Sequence, residues 1–239
     1  MKRTGRIGLA VFLFVGLVVS MFGCLNVDQP NVPPTNFTSN VKFVDLANTG
    51  TNMVATFDNG TSAATLTYGN NSAYVTMPAG SRRMKFVYGA TTDTLRQAFA
   101  SYGQYTYFSV FDPANGDVAR TYISFGQSYT FSSAGVVDTA LVRFINLSTD
   151  TASSFASGMD FMLGGKSVAT GVAFGQVAGY FKVPAGNSNY EVFATSADTT
   201  GGTPLISTTT LSGLASQGRY SIVVYGNHAS INKSVIQEH

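Results

Sequence analysis

Two histidines, His228 and His239, are the only imidazoles in the 239-residue sequence, and neither stands in a pattern that sets a base beside a nucleophile, as nucleophilic catalysis requires. No G-x-S-x-G elbow is present. "GGKS" at residues 164–167 has the ending of a phosphate-binding loop, but the earlier glycine that such a loop needs falls on Asp160. Zinc needs a cluster of Cys, His or carboxylate ligands, and two histidines with one cysteine do not supply it. The best oxygen-ligand candidate is "DPANGD", where Asp112, Asn115 and Asp117 could converge on calcium. The alternative there is an ordinary turn made of the residues that favour turns. Ten aspartates and two glutamates, Glu191 and Glu238, could in principle contain the carboxylate pair of a glycosidase. No spacing among them selects such a pair, and the expectation is a non-catalytic protein without a cofactor.

The one residue with a specific chemical signature is Cys24, the sole cysteine. Lys2, Arg3 and Arg6 precede the uncharged run "IGLAVFLFVGLVVSMFG", which ends at Gly23. A basic start, an apolar middle and a small residue at the cut describe a secretory signal over residues 1–23. "MFGC" resembles the lipobox of bacterial lipoproteins, in which cleavage exposes a cysteine that carries acyl chains. The resemblance implies lipidation of Cys24 and anchorage in the bacterial envelope, at the outer membrane. The alternative is a retained membrane helix, for which 17 residues is the lower limit. With no second cysteine, an intramolecular disulfide is impossible.

Cleavage before Cys24 would remove three basic residues and take the formal charge from +2 to −1. No basic stripe then remains for nucleic acid. The expected partners are the membrane, through the acyl chains, and a protein or glycan. Residues 24–39 follow with Pro30, Pro33 and Pro34 and no apolar periodicity, which reads as an extended tether. Charged residues make up 11% of the chain, against about 25% in typical soluble domains. Thr, Ser, Gly, Tyr, Phe and Val take their place, a composition of strands and turns.

Any site would have to be positioned by a duplicated element. "VKFVDL" from Val41 matches "VRFINL" from Val142, and "MVATFDNGTSAATLTYG" from Met53 matches "MDFMLGGKSVATGVAFG" from Met159. "YVTMPAG" from Tyr74 matches "YFKVPAG" from Tyr180, and "GQYTYFSVF" from Gly103 matches "GRYSIVVYG" from Gly218. The changing offsets place extra residues of the second copy in two loops, as expected for two tandem modules. These span residues 40–138, with the last strands or a linker in 112–138, and residues 139–239. Asn59-Gly60 and Gly164-Gly165 sit at equivalent places and read as hairpin turns, because each pair tolerates positive φ. In each PAG, proline ends a strand and glycine turns the chain: Pro78 and Gly80, then Pro184 and Gly186.

Tyr105 follows Gly103, and Tyr220 follows Gly218, at the start of a long apolar strand. This arrangement resembles the tyrosine corner of Greek-key sandwiches. The strand "YTYFSVF" is apolar on both faces, which fits either a neighbouring module or an exposed partner surface. Independent modules would give additive stabilities, and the terminal segment "NHASINKSVIQEH" suggests a short or loose closing strand. The series "VRFINLSTD", "DFMLGGKSVATGVAFG", "YFKVPAG" and "GRYSIVVYG" is similar to the family known as domain of unknown function 4397, an Ig-like repeat of exported bacterial proteins. The resemblance implies an all-β protein of two Ig-like antiparallel sandwiches with no assigned activity. The expected role is a surface scaffold in adhesion or in matrix and envelope assembly. The alternative is a glycan-binding lipoprotein using loops such as "TDTASSFASG" and "SADTTGGTP".

Overall fold

The computed structural model describes residues 37–58, 62–111, 120–126, 138–148, 158–195, 202–227 and 230–238. Residues 37–239 form one compact unit. Among the described residues there are sixteen strands and no helix. The first eight are β1 (Thr38–Asp45), β2 (Met53–Phe57), β3 (Ser62–Leu66), β4 (Val75–Pro78), β5 (Gly80–Tyr88), β6 (Thr91–Phe99), β7 (Gln104–Phe111) and β8 (Arg120–Gly126). The second eight are β9 (Thr139–Ser148), β10 (Met159–Leu163), β11 (Lys166–Val172), β12 (Val177–Pro184), β13 (Gly186–Ala194), β14 (Ile206–Leu214), β15 (Arg219–Asn227) and β16 (Ser230–Gln237).

The two sets have the same topology. In the first module, sheets of order β4-β1-β7-β8 and β3-β2-β5-β6 face each other. The second repeats this with β12-β9-β15-β16 and β11-β10-β13-β14. Each is a β-sandwich. The pairing is antiparallel except at the centre of one sheet per module, where β1 runs parallel to β7 and β9 parallel to β15. The sandwiches are thus antiparallel-rich, as expected, with one parallel pair in each where the first and penultimate strands of the module meet. Parallel pairs are normally covered on both faces, and β9 is buried along nearly its whole length.

Alternation determines which face each side chain joins. On β5, Met84, Phe86 and Tyr88 are buried while Lys85 between them is exposed. The central strands differ, because both of their faces are apolar. Val41, Phe43 and Tyr107 enter the first module's core with Met84 and Phe86. Val44, Leu46, Phe108 and Val110 point the other way and pack against Ile145, Leu147, Val223, Tyr225 and Ile236 of the second module. Val142, Phe144, Ile222 and Val224 line the second module's own core with Phe161 and Tyr190. Three apolar cores thus separate four sheets, and the middle core is the junction between modules.

That junction is built from equivalent residues. In the repeat alignment Val44 corresponds to Ile145, Leu46 to Leu147, Phe108 to Val223 and Val110 to Tyr225, and all eight lie in the middle core. The modules therefore meet through the same patch on each, as the two halves of a two-fold dimer do. A shared core makes their stabilities interdependent, so additivity does not apply to this docked pair. The closing strand also differs from the expectation. β16 has eight residues against seven in β8, and its pairing with β15 runs from Asn227 to Tyr220 without a break.

Each PAG carries the chain from one sheet to the other. β4 and β12 are edge strands that end in Pro78 and Pro184, where a missing N–H costs no ladder bond. Gly80 and Gly186 follow with φ of +100° and +98°, a region that glycine enters freely. The intervening alanine N–H donates to the backbone just before the module's first strand, Ala79 to the Phe37 carbonyl at 2.8 Å and Ala185 to the Asp138 carbonyl at 2.7 Å. The seven-residue motif recurs because the sheet-to-sheet crossing recurs.

Candidate functional site

The expected positions divide into corners, turns and residues outside the described set. At the β6–β7 crossing, the Tyr105 hydroxyl accepts a hydrogen bond from the Ala100 N–H at 2.9 Å. At the β14–β15 crossing, the Tyr220 hydroxyl accepts from the Ala215 N–H at 2.8 Å. The preceding glycines make room for the rings. A Cβ at Gly103 would lie 2.5 Å from the Tyr105 ring, and one at Gly218 would lie 2.8 Å from the Tyr220 ring. The G-x-Y spacing therefore encodes a ring folded back over its own turn. We expect Tyr220→Phe to lower stability by about 1 kcal/mol, the worth of one such bond, as read by urea denaturation. An unchanged midpoint would show that this bond contributes nothing.

Gly164 and Gly165 form the β10–β11 turn with φ of +58° and +76°. Asn59 and Gly60, between β2 and β3, lie outside the described residues, as do Cys24 and the calcium candidates Asp112, Asn115 and Asp117. Among the described residues no group of three His, Cys, Asp or Glu side chains could hold a metal. The apolar run at 7–23 is also outside them. No helix among the described residues is long and apolar enough to cross a membrane.

Polar chemistry concentrates instead at one edge of the junction between modules. Arg143 on β9 is 3% exposed and Glu238, just after β16, is 1% exposed. They form an ion pair through Arg143 Nη2 and Glu238 Oε1. Arg143 Nε also donates to Ser221 Oγ at 2.7 Å, while Ser221 Oγ and Tyr180 Oη donate to the two carboxylate oxygens. The guanidinium lies 5.1 Å from the centre of the Tyr180 ring. In the first module, Lys42 occupies the position equivalent to Arg143 and sits 4.6 Å from the centre of the Tyr74 ring, the equivalent of Tyr180. Its ammonium crosses the junction and donates to the Gln237 carbonyl at 2.6 Å.

Burial sets the proton affinities at this seam. Loss of water pulls the Lys42 ammonium below its ordinary value, and Glu238 offsets part of that effect. The Tyr180 phenol is raised, first by burial and then by the neighbouring carboxylate, so it remains a donor. Tyr68 and Tyr225 meet across the same junction, edge to face at 6.0 Å. Both phenols are raised, mainly by burial. Of these groups, Lys42 and the Tyr68–Tyr225 pair cross from one module to the other, while Arg143, Ser221, Tyr180 and Glu238 bond within the second. Glu238 has its two oxygens occupied by three donors, an arrangement of a structural anion.

A second feature is an open groove of about 610 Å³ on the outer face of β10, β13 and β14. Asn187, Asn189 and Glu191 recur every second residue along β13 and line it with Thr208 and Met162. Asn189 Oδ1 accepts from Thr210 Oγ1 at 2.9 Å, and Thr208 donates to Glu191. Beneath them Tyr190 is buried, which pushes its phenol up to about 12. The groove offers amide and carboxylate groups suited to hydroxyl-rich ligands. It is not legible in the sequence, because the polar face of β13 looks like any solvated strand.

Residues 140–239 match the family described as Domain of unknown function (DUF4397). The second module is DUF4397-like. The match begins in β9 and ends at the last residue, so it covers one complete sandwich. No curated protein matches the chain. A solved structure titled "The Bacillus anthracis TIE protein" is 11% identical, with a TM-score of 0.23, over 80% of this chain and 34% of that one. The chain spans about a third of that protein, and so slight a likeness bears on neither fold nor function.

Proposed function

We propose that this is a non-catalytic, lipid-anchored bacterial envelope protein whose two docked modules act as a rigid scaffold in adhesion or in matrix and envelope assembly. The observation that carries the reading is the middle core. A continuous apolar junction joins the two sandwiches, and Lys42 of the first donates across it to the Gln237 carbonyl of the second, which suits presentation of a surface from one block. The acyl chains on Cys24 would hold the block at the outer membrane. A second reading, glycan binding, is favoured by the groove along Asn187, Asn189 and Glu191. The loops expected in that role, "TDTASSFASG" and "SADTTGGTP", fall largely outside the described residues.

The test is protease shaving of intact cells, wild type beside Cys24→Ala, followed by membrane fractionation. The expected result is release of the folded block from wild-type cells and loss of the variant from the membrane fraction. Retention of Cys24→Ala in the membranes would overturn the lipid anchor. Protection of the wild type until the outer layer is opened would overturn surface display and place the scaffold in the periplasm.

A further inference from the structure

Tyr102 is the most exposed large hydrophobic side chain among the described residues, at 77%, and the next are Phe37 and Val235 at 44% each. Tyr102 and Phe37 touch edge to face, with ring centres 6.0 Å apart and planes at 87°. They form an aromatic knob at one end of the first module, where β1 begins and β6 crosses to β7. The knob is held firmly. The Tyr102 N–H donates to the Thr38 carbonyl at 2.6 Å, and the Gly103 N–H closes the turn onto Ala100 at 3.0 Å.

The turn itself shows that the tyrosine is there despite the backbone. Tyr102 has φ of +60°, a left-handed conformation that suits glycine or asparagine and disfavours a bulky side chain. The second module makes the same turn, closed by Gly218 onto Ala215, and its left-handed residue is Gln217 at +61°. A polar side chain therefore satisfies the fold at this position. The first module carries an exposed ring instead, and strain of this kind concentrates where a residue has a task other than folding.

We propose that the Phe37–Tyr102 knob seats in the headgroup layer of the bilayer and orients the block on the membrane. The inference rests on the lipid-anchor reading. Twelve residues separate Cys24 from Phe37, so a fully extended chain spans at most about 45 Å between them. The chain outside the described residues thus ends at the knob itself, and an acyl anchor keeps the knob within reach of lipid. Phenol and phenyl rings suit the boundary between water and acyl chains, where aromatic residues gather. Two rings bind a bilayer weakly alone, but a tether supplies the effective concentration that populates such a contact. Tyr102 faces the membrane while Gln217, in the second module, serves as the built-in comparison.

The sequence has no tryptophan, so Tyr102→Trp creates a single fluorescent reporter in the lipidated full-length protein. The experiment compares it with Gln217→Trp in phosphatidylethanolamine and phosphatidylglycerol vesicles containing brominated phospholipid. The expected result is blue-shifted, bromine-quenched emission at position 102 and solvent-like, unquenched emission at 217. Phe37→Trp lies outside the strained turn and reads the same contact should Tyr102→Trp fold poorly. Solvent-like emission at 102 and 37 overturns the docking while leaving the lipid anchor intact. A blue shift without quenching that grows with protein concentration also overturns it, because a second copy would then cover the knob. Fractionation of Cys24→Ala in parallel tests the anchor separately: if that variant stays in the membranes, the anchor reading fails, and quenching at 102 alone decides whether the knob meets lipid.

Discussion

Replacing Arg143 with leucine should destabilise the protein by about 3–5 kcal/mol, because removal of one partner strands a buried charge. The stranded charge is Glu238, whose carboxylate would keep Ser221 and Tyr180 as donors but lose the guanidinium. Lys42 does not replace it, since its ammonium is committed to the Gln237 carbonyl and is itself depressed by burial. The substitution also removes the cation from the Tyr180 ring. For a chain of this size the fall corresponds to a Tm lower by roughly 6–20 °C. The double variant Arg143→Leu/Glu238→Gln should recover much of the stability, since no charge is left buried without its partner. A single variant as stable as wild type would mean that water reaches Glu238 and that the seam is not closed.

How much of this can be read from the residues alone depends on how local the signal is. The hairpins, the PAG crossings and the G-x-Y corners are written in contiguous residues, and each has a local physical cause. The ring of Tyr220 lies over Gly218, and the Pro184 edge position needs no N–H. The two-faced apolarity of "YTYFSVF" is equally visible and leaves two explanations open. The structure selects the neighbouring module, with Tyr107 facing one core and Phe108 the other. The ion pair is not legible, because its partners are 95 residues apart and Glu238 stands in a polar terminal segment with no pattern. β16 is hard to see for the same reason: "SINKSVIQ" has few apolar residues, and its strand character comes from pairing with β15. The corner in "SYGQYTYF" is legible from Gly103 and Tyr105, but the exposure and left-handed backbone of Tyr102 just before it are not, since nothing in the residue types separates it from the tyrosines of the strand that follows.

Phe108→Ala should cost about 3–5 kcal/mol, the usual range for truncating a fully buried phenylalanine. Its consequence should reach beyond its own module. Phe108 is fully buried in the middle core, among Ile145, Leu147 and Val223 of the second sandwich as well as Val44 and Val110 of the first. Truncation would open a cavity between the central sheets of both modules, and side chains on both sides would forfeit the dispersion attraction of the ring. Hydrogen exchange can separate this from a local effect. Amides of β9 and β15 should become less protected along with those of β1 and β7, although the substitution lies in the first module. A cavity confined to one module gives the opposite pattern, and Phe161→Ala supplies that comparison, because Phe161 stacks on Phe144 at 4.6 Å deep in the second module's own core. If β9 and β15 remained protected in Phe108→Ala, the two sandwiches would be separate folding units in loose contact. Faster exchange on both sides would show that the middle core is the element that turns two repeats into one scaffold.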